Sequence, residues 1–215
     1  MMDGRTNATG SERTMPDRDW QAVLVRHGET EWSRDGRHTG STDVPLTETG
    51  REDARWVGEA LRGWSFVRVL SSPLQRALDT CRLAGLGDRV EICPNLVEWD
   101  YGDYEGLTAA QIRELRPDWW LWRDGCPHGE TPQDVARRVD PVVAELLVAR
   151  GDIAVFAHGH VLRVLAARWI EQAPLHGSRL ALSTASISAA GFEHDLPALR
   201  HWNDVSHLPP ERRPR

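Results

Sequence analysis

The sequence predicts an α/β fold, a three-layer sandwich in which helices flank both faces of a mainly parallel central sheet. Two observations carry this prediction. Short apolar runs typical of strands alternate along the chain with amphipathic segments of about 10–15 residues that have helical periodicity. The strand candidates are almost wholly apolar rather than alternating with polar residues, as expected of parallel strands that are covered on both faces.

The predicted elements of the first half are two strands, each followed by a helix. Residues 22–25 and 66–70 are the apolar strand candidates. Residues 47–61 form the first helix, with Ala54, Val57 and Leu61 on one face. Pro73 opens the second helix, which extends to about residue 84, since the first turn of a helix tolerates proline.

In the second half, polar caps mark the helix starts. Thr108 caps a predicted helix that ends near residue 115, ahead of Pro117. Thr131, followed by Asp134 three residues later, opens a helix that extends to about residue 150. The apolar run 153–157 is a strand that leads directly into a helix over 161–170, and residues 186–192 and 199–203 are two further strands.

Length and composition limit the class of protein. The 215 residues suit one domain, predicted over 19–207, with a flexible leader over 1–18 and a flexible tail over 208–215. The formal net charge of −6 argues against a nucleic-acid partner. No apolar run reaches the roughly 18 residues that span a bilayer, and the leader lacks a secretory pattern, so we expect a cytoplasmic protein without a membrane partner. The cysteines, Cys81, Cys93 and Cys126, form no CxxC pair.

Polar and charged residues follow three of the predicted strands at the point where each strand ends. Arg26 and His27 follow the first strand, Arg76 follows the second, and His158 follows the strand over 153–157. Ligands of open α/β sheets bind at the carboxyl ends of the strands, so three adjacent strands would bring these residues into one crevice. Guanidinium groups match phosphate oxygens, and the helix N-terminus after Gly159 adds N–H donors. The sequence therefore predicts a phosphate site.

A metal site is the alternative for His158 and His160, which lie two residues apart. No carboxylate or cysteine is close to them in sequence, and Arg26 beside His27 would repel a cation, so we expect no metal and no cofactor. The remaining histidines are interpreted as structural; they are His38, His128, His176, His194, His201 and His207.

The run Arg26-His27-Gly28-Glu29-Thr30 resembles the signature of the histidine phosphatase (phosphoglycerate mutase-like) superfamily. The similarity extends from about residue 21 to residue 193, through blocks at 39–47, 71–77, 98–106 and 156–160. Within the superfamily, the chain is most similar to the broad-specificity acid phosphatases and the sedoheptulose-bisphosphatase-like branch. The resemblance implies a phosphoglycerate mutase-like fold, a small-molecule phosphate ester as substrate and a possible homodimer.

The resemblance also implies a role for each matching residue. His27 would attack phosphorus and become a phosphohistidine, and Arg26, Arg76 and His158 would bind the phosphoryl oxygens. Glu98 would protonate the leaving alkoxide and then activate water. The implied substrate-binding residues are Ser33, Thr39, Gly40, Tyr101 and Gly159. Ser33 is a departure, because the family commonly has asparagine there, which offers two donors where serine offers one.

Three functions remain open, in a stated order of preference. A phosphomonoesterase is expected first. A phosphoglycerate mutase is the alternative, but mutases resemble one another in a longer insertion after the acid with two adjacent arginines, whereas Trp99 and Asp100 follow Glu98 here. A non-catalytic phosphate-ligand module ranks last, because the chain keeps both His27 and Glu98.

The segment between residues 107 and 131 allows two interpretations. Its tryptophans would form either a core plug or a lid over the substrate, and its arginines either surface charge or contacts to a second phosphate. Asp100 is interpreted as structural and as a possible partner of a pocket arginine. The residues of the segment concerned are Trp119, Trp120, Trp122, Arg113, Arg116 and Arg123.

Overall fold

A six-stranded mixed sheet forms the centre of the structure, a computed structural model that describes residues 19–213. The strands are β1 (Ala22–Arg26), β2 (Arg68–Ser71), β3 (Val90–Ile92), β4 (Ile153–Ala157), β5 (Ile187–Glu193) and β6 (Leu196–Asp204). Their spatial order is β3-β2-β4-β1-β5-β6. The first four strands run parallel, whereas β5 is antiparallel to β1 and β6 to β5. The predicted fold class is therefore confirmed.

Seven α-helices accompany the sheet in the described part of the chain. They are α1 (Glu31–Arg34), α2 (Glu48–Ala60), α3 (Gln75–Leu83), α4 (Ala109–Leu115), α5 (Leu121–Asp124), α6 (Pro132–Leu147) and α7 (Gly159–Trp169). The side chains of Thr108 and Thr131 each accept the backbone N–H three residues later, as predicted, and Thr47 caps α2 in the same way. Leu74 remains extended, so α3 begins two residues after Pro73.

The two faces of the sheet bury separate apolar clusters because successive strand residues point to opposite faces. Val23 and Val25 of β1 pack with residues of α2 and α3, including Val57. Leu24, from the same strand, packs in the other cluster, to which α6 and α7 contribute, for example through Leu162. Every apolar residue of β1 is thus covered, which explains its unbroken apolar run.

The tryptophan segment is mainly core. Trp119 and Trp122 belong to the cluster of α6 and α7, whereas Trp120 is 40% exposed. The plug interpretation therefore holds for the first two. Trp119 also donates its Nε1–H to the carbonyl of Gly125, which satisfies the polar end of this buried ring.

Residues 208–213, which belong to the predicted loose tail, contact the rest of the domain. Leu208 is 3% exposed, and Arg212 forms ion pairs with Asp53, at 2.9 Å, and with Glu52 of α2. An apolar anchor and two carboxylates thus outweigh a composition rich in proline and arginine over 208–213. Residues 214 and 215 and the predicted leader over 1–18 lie outside the described residues. Between residues 19 and 213, none of the helices has both the length and the apolar character that crossing a bilayer requires.

Candidate active site

The carboxyl ends of three neighbouring parallel strands lie at one edge of the sheet. In the register of β4 with its neighbours, Arg26 pairs with Ala157 and Ser71 pairs with Phe156, so the strands end almost level. His27 follows β1 directly, and His158 is the N-cap of α7. The centroids of these two imidazole rings are 5.2 Å apart. The structure therefore places the side chains of His27 and His158 next to each other at this edge.

The tautomer of His27 follows from its hydrogen bond. Nδ1 lies 2.7 Å from the carbonyl oxygen of Gly28, which can only accept, so Nδ1 carries the proton and Nε2 keeps its lone pair. Burial holds the pKa of His27 well below its usual value, and the charges of Arg76 and Arg26 lower it further. His27 is thus a neutral imidazole with a free nitrogen, the state that a nucleophile requires.

Close backbone packing fixes the loop after His27. A Cβ on Gly28 would lie 2.3 Å from the carbonyl oxygen of Gly50, and one on Gly50 would lie 2.1 Å from that of Glu29. The first turn of α2 therefore rests directly on the backbone of residues 28 and 29, which is possible only with glycine at both positions. Thr80 of α3 also accepts the N–H of Gly28 at 3.0 Å.

Arg26 presents a donor without an acceptor. Its Nη1 donates to the carbonyl of Leu182, but Nε is buried and has no hydrogen-bond partner in the described part of the chain. Burial lowers the pKa of Arg26. A buried guanidinium N–H without a partner is costly, and an anion that accepts a hydrogen bond from it would remove that cost.

The carboxylate of Glu98 is held by the start of α7. Oε1 accepts the N–H groups of Val161 and Trp99, both at 2.9 Å, and Oε2 accepts the N–H of His160 at 3.0 Å. The N-terminus of a helix favours negative charge, so α7 orients this group. A Cβ on Gly159 would lie 3.4 Å from Cζ of Arg26 and 3.6 Å from Oε2 of Glu98, which places both groups beside Gly159.

Arg138 of α6 holds the backbone that carries Glu98. Its Nη1 donates to the carbonyls of Asn95 and Val97, both at 2.8 Å, and its Nη2 donates to the carbonyl of Glu98 at 3.1 Å. The carboxylate of Glu130 binds the other side of the guanidinium, at 2.7 Å from Nε. Sequence analysis did not identify Arg138, because backbone carbonyls leave no signature in the sequence.

Arg76 and His158 lie behind His27 and do not line the cavity that opens on the other side of its ring. Arg76 is fully buried, and its Nε donates to Nδ1 of His158 at 3.0 Å. Its two Nη atoms donate to the carbonyls of Thr39, Gly40 and Thr42. In this geometry the guanidinium and the imidazole bond to groups of the protein itself. The direct contact of these two side chains with phosphoryl oxygens stays a prediction.

A cavity of about 180 Å³ opens in front of His27. Of the predicted residues, those that line it are Arg26, His27, Ser33, Thr39, Glu98, Tyr101 and Gly159. Gly40 does not, because its N–H binds the carboxylate of Glu105 at 2.9 Å and its carbonyl accepts from Arg76. Ser33 donates its hydroxyl proton to the carbonyl of Thr30.

Several lining residues were not identified from the sequence; they are Gly36, Arg37, His38, His160, Arg163 and Leu182. His38 was interpreted as structural, although it directly precedes Thr39. Arg163 lies three residues after His160 on α7, and this helical spacing was the available signal for it.

The geometry also places Asp100 and the pair of His158 and His160. Asp100 is not paired with a pocket arginine, because its Oδ1 accepts the N–H of Gly102 at 2.9 Å. The rings of His158 and His160 point into separate networks: His158 binds Arg76 and Ser72, whereas Nδ1 of His160 lies 2.7 Å from the hydroxyl of Tyr101. Over residues 19–213, no three metal-ligating side chains are grouped as a metal site would need.

Comparison with known proteins agrees with this geometry. Residues 22–205 match the family model described as the histidine phosphatase superfamily (branch 1). An acid phosphatase of Mycobacterium tuberculosis is 45% identical over 197 residues, which cover 90% of this chain and 97% of that protein. A sedoheptulose 1,7-bisphosphatase of Saccharomyces cerevisiae is 38% identical over 187 residues, covering 72% and 69% of the two chains. The solved structure of an open reading frame from Mycobacterium tuberculosis matches with a TM-score of 0.83 at 45% identity, over 86% of this chain and 98% of that one.

Proposed function

The chain belongs to the histidine phosphatase superfamily, and on that premise we propose that it hydrolyses a small phosphorylated metabolite through a phosphohistidine on Nε2 of His27. It is a phosphatase that acts on phosphoric monoesters. The observation that carries the proposal is the neutral His27, which lines one cavity together with Arg26 and Glu98. Nε of Arg26 has no hydrogen-bond partner among residues 19–213.

In the first step, Nε2 of His27 attacks phosphorus. The P–N bond forms while the bond from phosphorus to the ester oxygen breaks, and the electron pair of that bond remains on the leaving oxygen. Glu98, in its protonated form, gives this oxygen its proton, so that an alcohol leaves. Arg26 binds the phosphoryl oxygens, and the nearby positive charge of Arg76 stabilises the transition state.

In the second step, water hydrolyses the phosphohistidine. Glu98, now a carboxylate, takes a proton from the water as its oxygen attacks phosphorus. The P–N bond breaks, and its electron pair returns to Nε2 of His27. The products are inorganic phosphate and the free enzyme with Glu98 protonated again, so the cycle closes without a metal or a redox partner.

His158 and Arg76 act as positioning residues in this scheme. His158 packs against His27, and the hydrogen bond from Arg76 fixes its orientation. Their charge and dipole reach the phosphoryl group through space, while the direct contacts come from Arg26 and from the residues that line the cavity.

Replacing His27 with alanine tests the proposal. We expect the His27→Ala variant to lose at least about 10³-fold in kcat on p-nitrophenyl phosphate, since the nucleophile is removed. The matched control is His128→Ala, because His128 is exposed and lies outside the cavity. Brief mixing with ³²P-labelled substrate should leave acid-labile label on the wild-type chain alone. Full activity of His27→Ala would refute the nucleophile.

The mutase alternative has a separate measurement. A hydrolase releases inorganic phosphate, whereas a mutase returns the phosphoryl group to an organic acceptor. We expect phosphate release from a panel of phosphate esters to exceed conversion of 3-phosphoglycerate to 2-phosphoglycerate. The homodimer and the cytoplasmic location stay predictions; analytical ultracentrifugation tests the first and fractionation of the source cell tests the second.

A further inference from the structure

A second cavity of about 400 Å³ adjoins the one in front of His27. The two cavities share His38, His160 and Arg163 in their walls. The second cavity, here called the distal cavity, is lined in addition by Arg113 and Arg179 and by the tryptophan segment that includes Trp119 and Trp122. A ligand that reaches both cavities would pass these three shared residues.

The wall of the distal cavity is cationic. It contains Arg113, Arg163 and Arg179 and no aspartate or glutamate. In the described part of the chain, none of these three arginines takes part in an ion pair. By contrast, Arg116 and Arg123 of the same segment both pair with Asp124. In a protein with a net charge of −6, unpaired positive charge is therefore concentrated beside the active site.

Arg163 is the fixed element of this wall. Its Nε and Nη2 donate to the carbonyls of Gly177 and Ser178, at 2.9 and 3.1 Å, and its Cζ lies 4.7 Å from the ring centroid of Trp122. No hydrogen bond among residues 19–213 uses its Nη1. Burial lowers the pKa of Arg163, the charge of Glu98 raises it, and the charge of Arg26 lowers it by a smaller amount. An anion between the two cavities would offset the cost of burying this charge.

Apart from Arg163, the wall that the two cavities share is uncharged and aromatic. The ring of His38 lies edge-on to Tyr101, with centroids 4.8 Å apart, and is stacked on His160 at 6.2 Å. Nδ1 of His38 donates to the carbonyl of Leu107 at 2.8 Å, which leaves Nε2 as a hydrogen-bond acceptor. Burial lowers the pKa of both histidines, so they stay neutral. Such a wall suits a ligand whose middle part, between the two cavities, carries hydroxyl groups.

We propose that the distal cavity is a second anion subsite, and that the substrate is a phosphomonoester with a further anionic group. The phosphate against His27 is cleaved, and the second group, a phosphate or a carboxylate, binds Arg163 together with Arg113 and Arg179. A hydroxylated spacer lies along His38. The assignment of the cleaved end rests on the proposed function, whereas the subsite itself rests on the unpaired arginines.

Paired substrates that differ only in the second anion test the subsite. One arm compares fructose 1,6-bisphosphate with fructose 6-phosphate, and the other compares 3-phosphoglycerate with glycerol 3-phosphate, which separates a phosphate from a carboxylate. For the wild-type protein, we expect kcat/KM of one doubly anionic substrate to exceed that of its partner by at least about tenfold, through KM, because charge-assisted hydrogen bonds to arginine are strong. A ratio near one in both arms would overturn the proposal.

Variants then locate the effect. In the double variant Arg113→Gln and Arg179→Gln, this ratio should fall towards one, and Arg163→Gln should lower it further. Arg163 also donates to the carbonyls of residues 177 and 178. If Arg163→Gln does not fold for that reason, the double variant of the exposed residues Arg113 and Arg179 alone tests the subsite. The matched control is Arg150→Gln, an exposed arginine that lines neither cavity, and its ratio should equal that of the wild type. An unchanged ratio in the double variant refutes the assignment.

Binding separates this proposal from the proposed function. If the wild type hydrolyses no phosphate ester, including p-nitrophenyl phosphate, the proposed function fails. In that case, calorimetric titration of His27→Ala with fructose 1,6-bisphosphate and with fructose 6-phosphate still tests the anion subsite. The subsite is supported if the bisphosphate binds about tenfold more tightly than the monophosphate and if Arg113→Gln with Arg179→Gln removes this difference. Equal binding of the two ligands overturns it.

Discussion

Arg76 donates its Nε–H to Nδ1 of His158 across 3.0 Å, in the fully buried layer behind the nucleophile. Because Nδ1 accepts this bond, the ring proton of a neutral His158 is on Nε2, which lies 2.7 Å from the hydroxyl oxygen of Ser72. The same guanidinium reaches the loop between α1 and α2 through the carbonyls of Thr39 and Thr42. One side chain of α3 thus joins the residue that follows β4 to the loop between α1 and α2.

This arrangement predicts that lysine cannot replace Arg76. A lysine ammonium keeps the charge but lacks the planar fork that reaches His158 and the loop carbonyls together. We expect Arg76→Lys to lower the free energy of unfolding by about 2–4 kcal/mol, measured in urea, because buried acceptors lose their donors. The turnover of p-nitrophenyl phosphate should fall as well. Arg82→Lys, on the exposed side of the same helix, is the matched control. Equal stability of the two variants would contradict the role of Arg76.

The convergence of the strand ends could be predicted from the sequence, since an unbroken apolar run followed by His27 or His158 defines both the strand and its end. The hydrogen-bond partners of the Arg76 side chain could not be predicted, because its acceptors include backbone carbonyls of a loop more than 30 residues away in sequence. The same limit applies to Arg138. Arg212 was missed because its partners, on α2, become neighbours only through the fold.

Arg138 is expected to position the general acid without touching the substrate. Arg138→Gln should remove the bonds to the carbonyls of residues 95, 97 and 98, and it should lower the free energy of unfolding by about 2–3 kcal/mol. Displacement of Glu98 should lower kcat more for an alkyl phosphate than for p-nitrophenyl phosphate. Arg137→Gln is the control, because Arg137 points outward and pairs with Asp134. A loss of stability with equal effects on both substrates would leave Arg138 with a purely structural role.

Glu98 itself is expected to matter most where the leaving group is poor. The Glu98→Gln variant cannot donate the proton that an alkoxide needs, whereas p-nitrophenolate leaves as a stable anion. We expect kcat to fall by about 10²–10⁴-fold for glycerol 3-phosphate, and by clearly less for p-nitrophenyl phosphate. Glu114→Gln, on the surface of α4, is the control. Equal losses on the two substrates would exclude Glu98 as the acid.

The buried histidines predict that stability declines in acid. Burial, with the charge of Arg76 next, holds the pKa values of His27 and His158 well below the value of about 6.5 of an unfolded histidine. The unfolded chain therefore binds more protons, so the contribution is full above pH 6.5 and is lost as the pH falls from there towards the folded pKa values. Each histidine contributes a slope of up to about 1.4 kcal/mol per pH unit to the free energy of unfolding.

Urea denaturation between pH 7 and pH 5 measures this slope. The variant His158→Gln should have a shallower slope than the wild type, whereas replacement of the exposed His194 should leave the slope unchanged. A slope that is the same in His158→Gln and the wild type would show that His158 is protonated in the folded state.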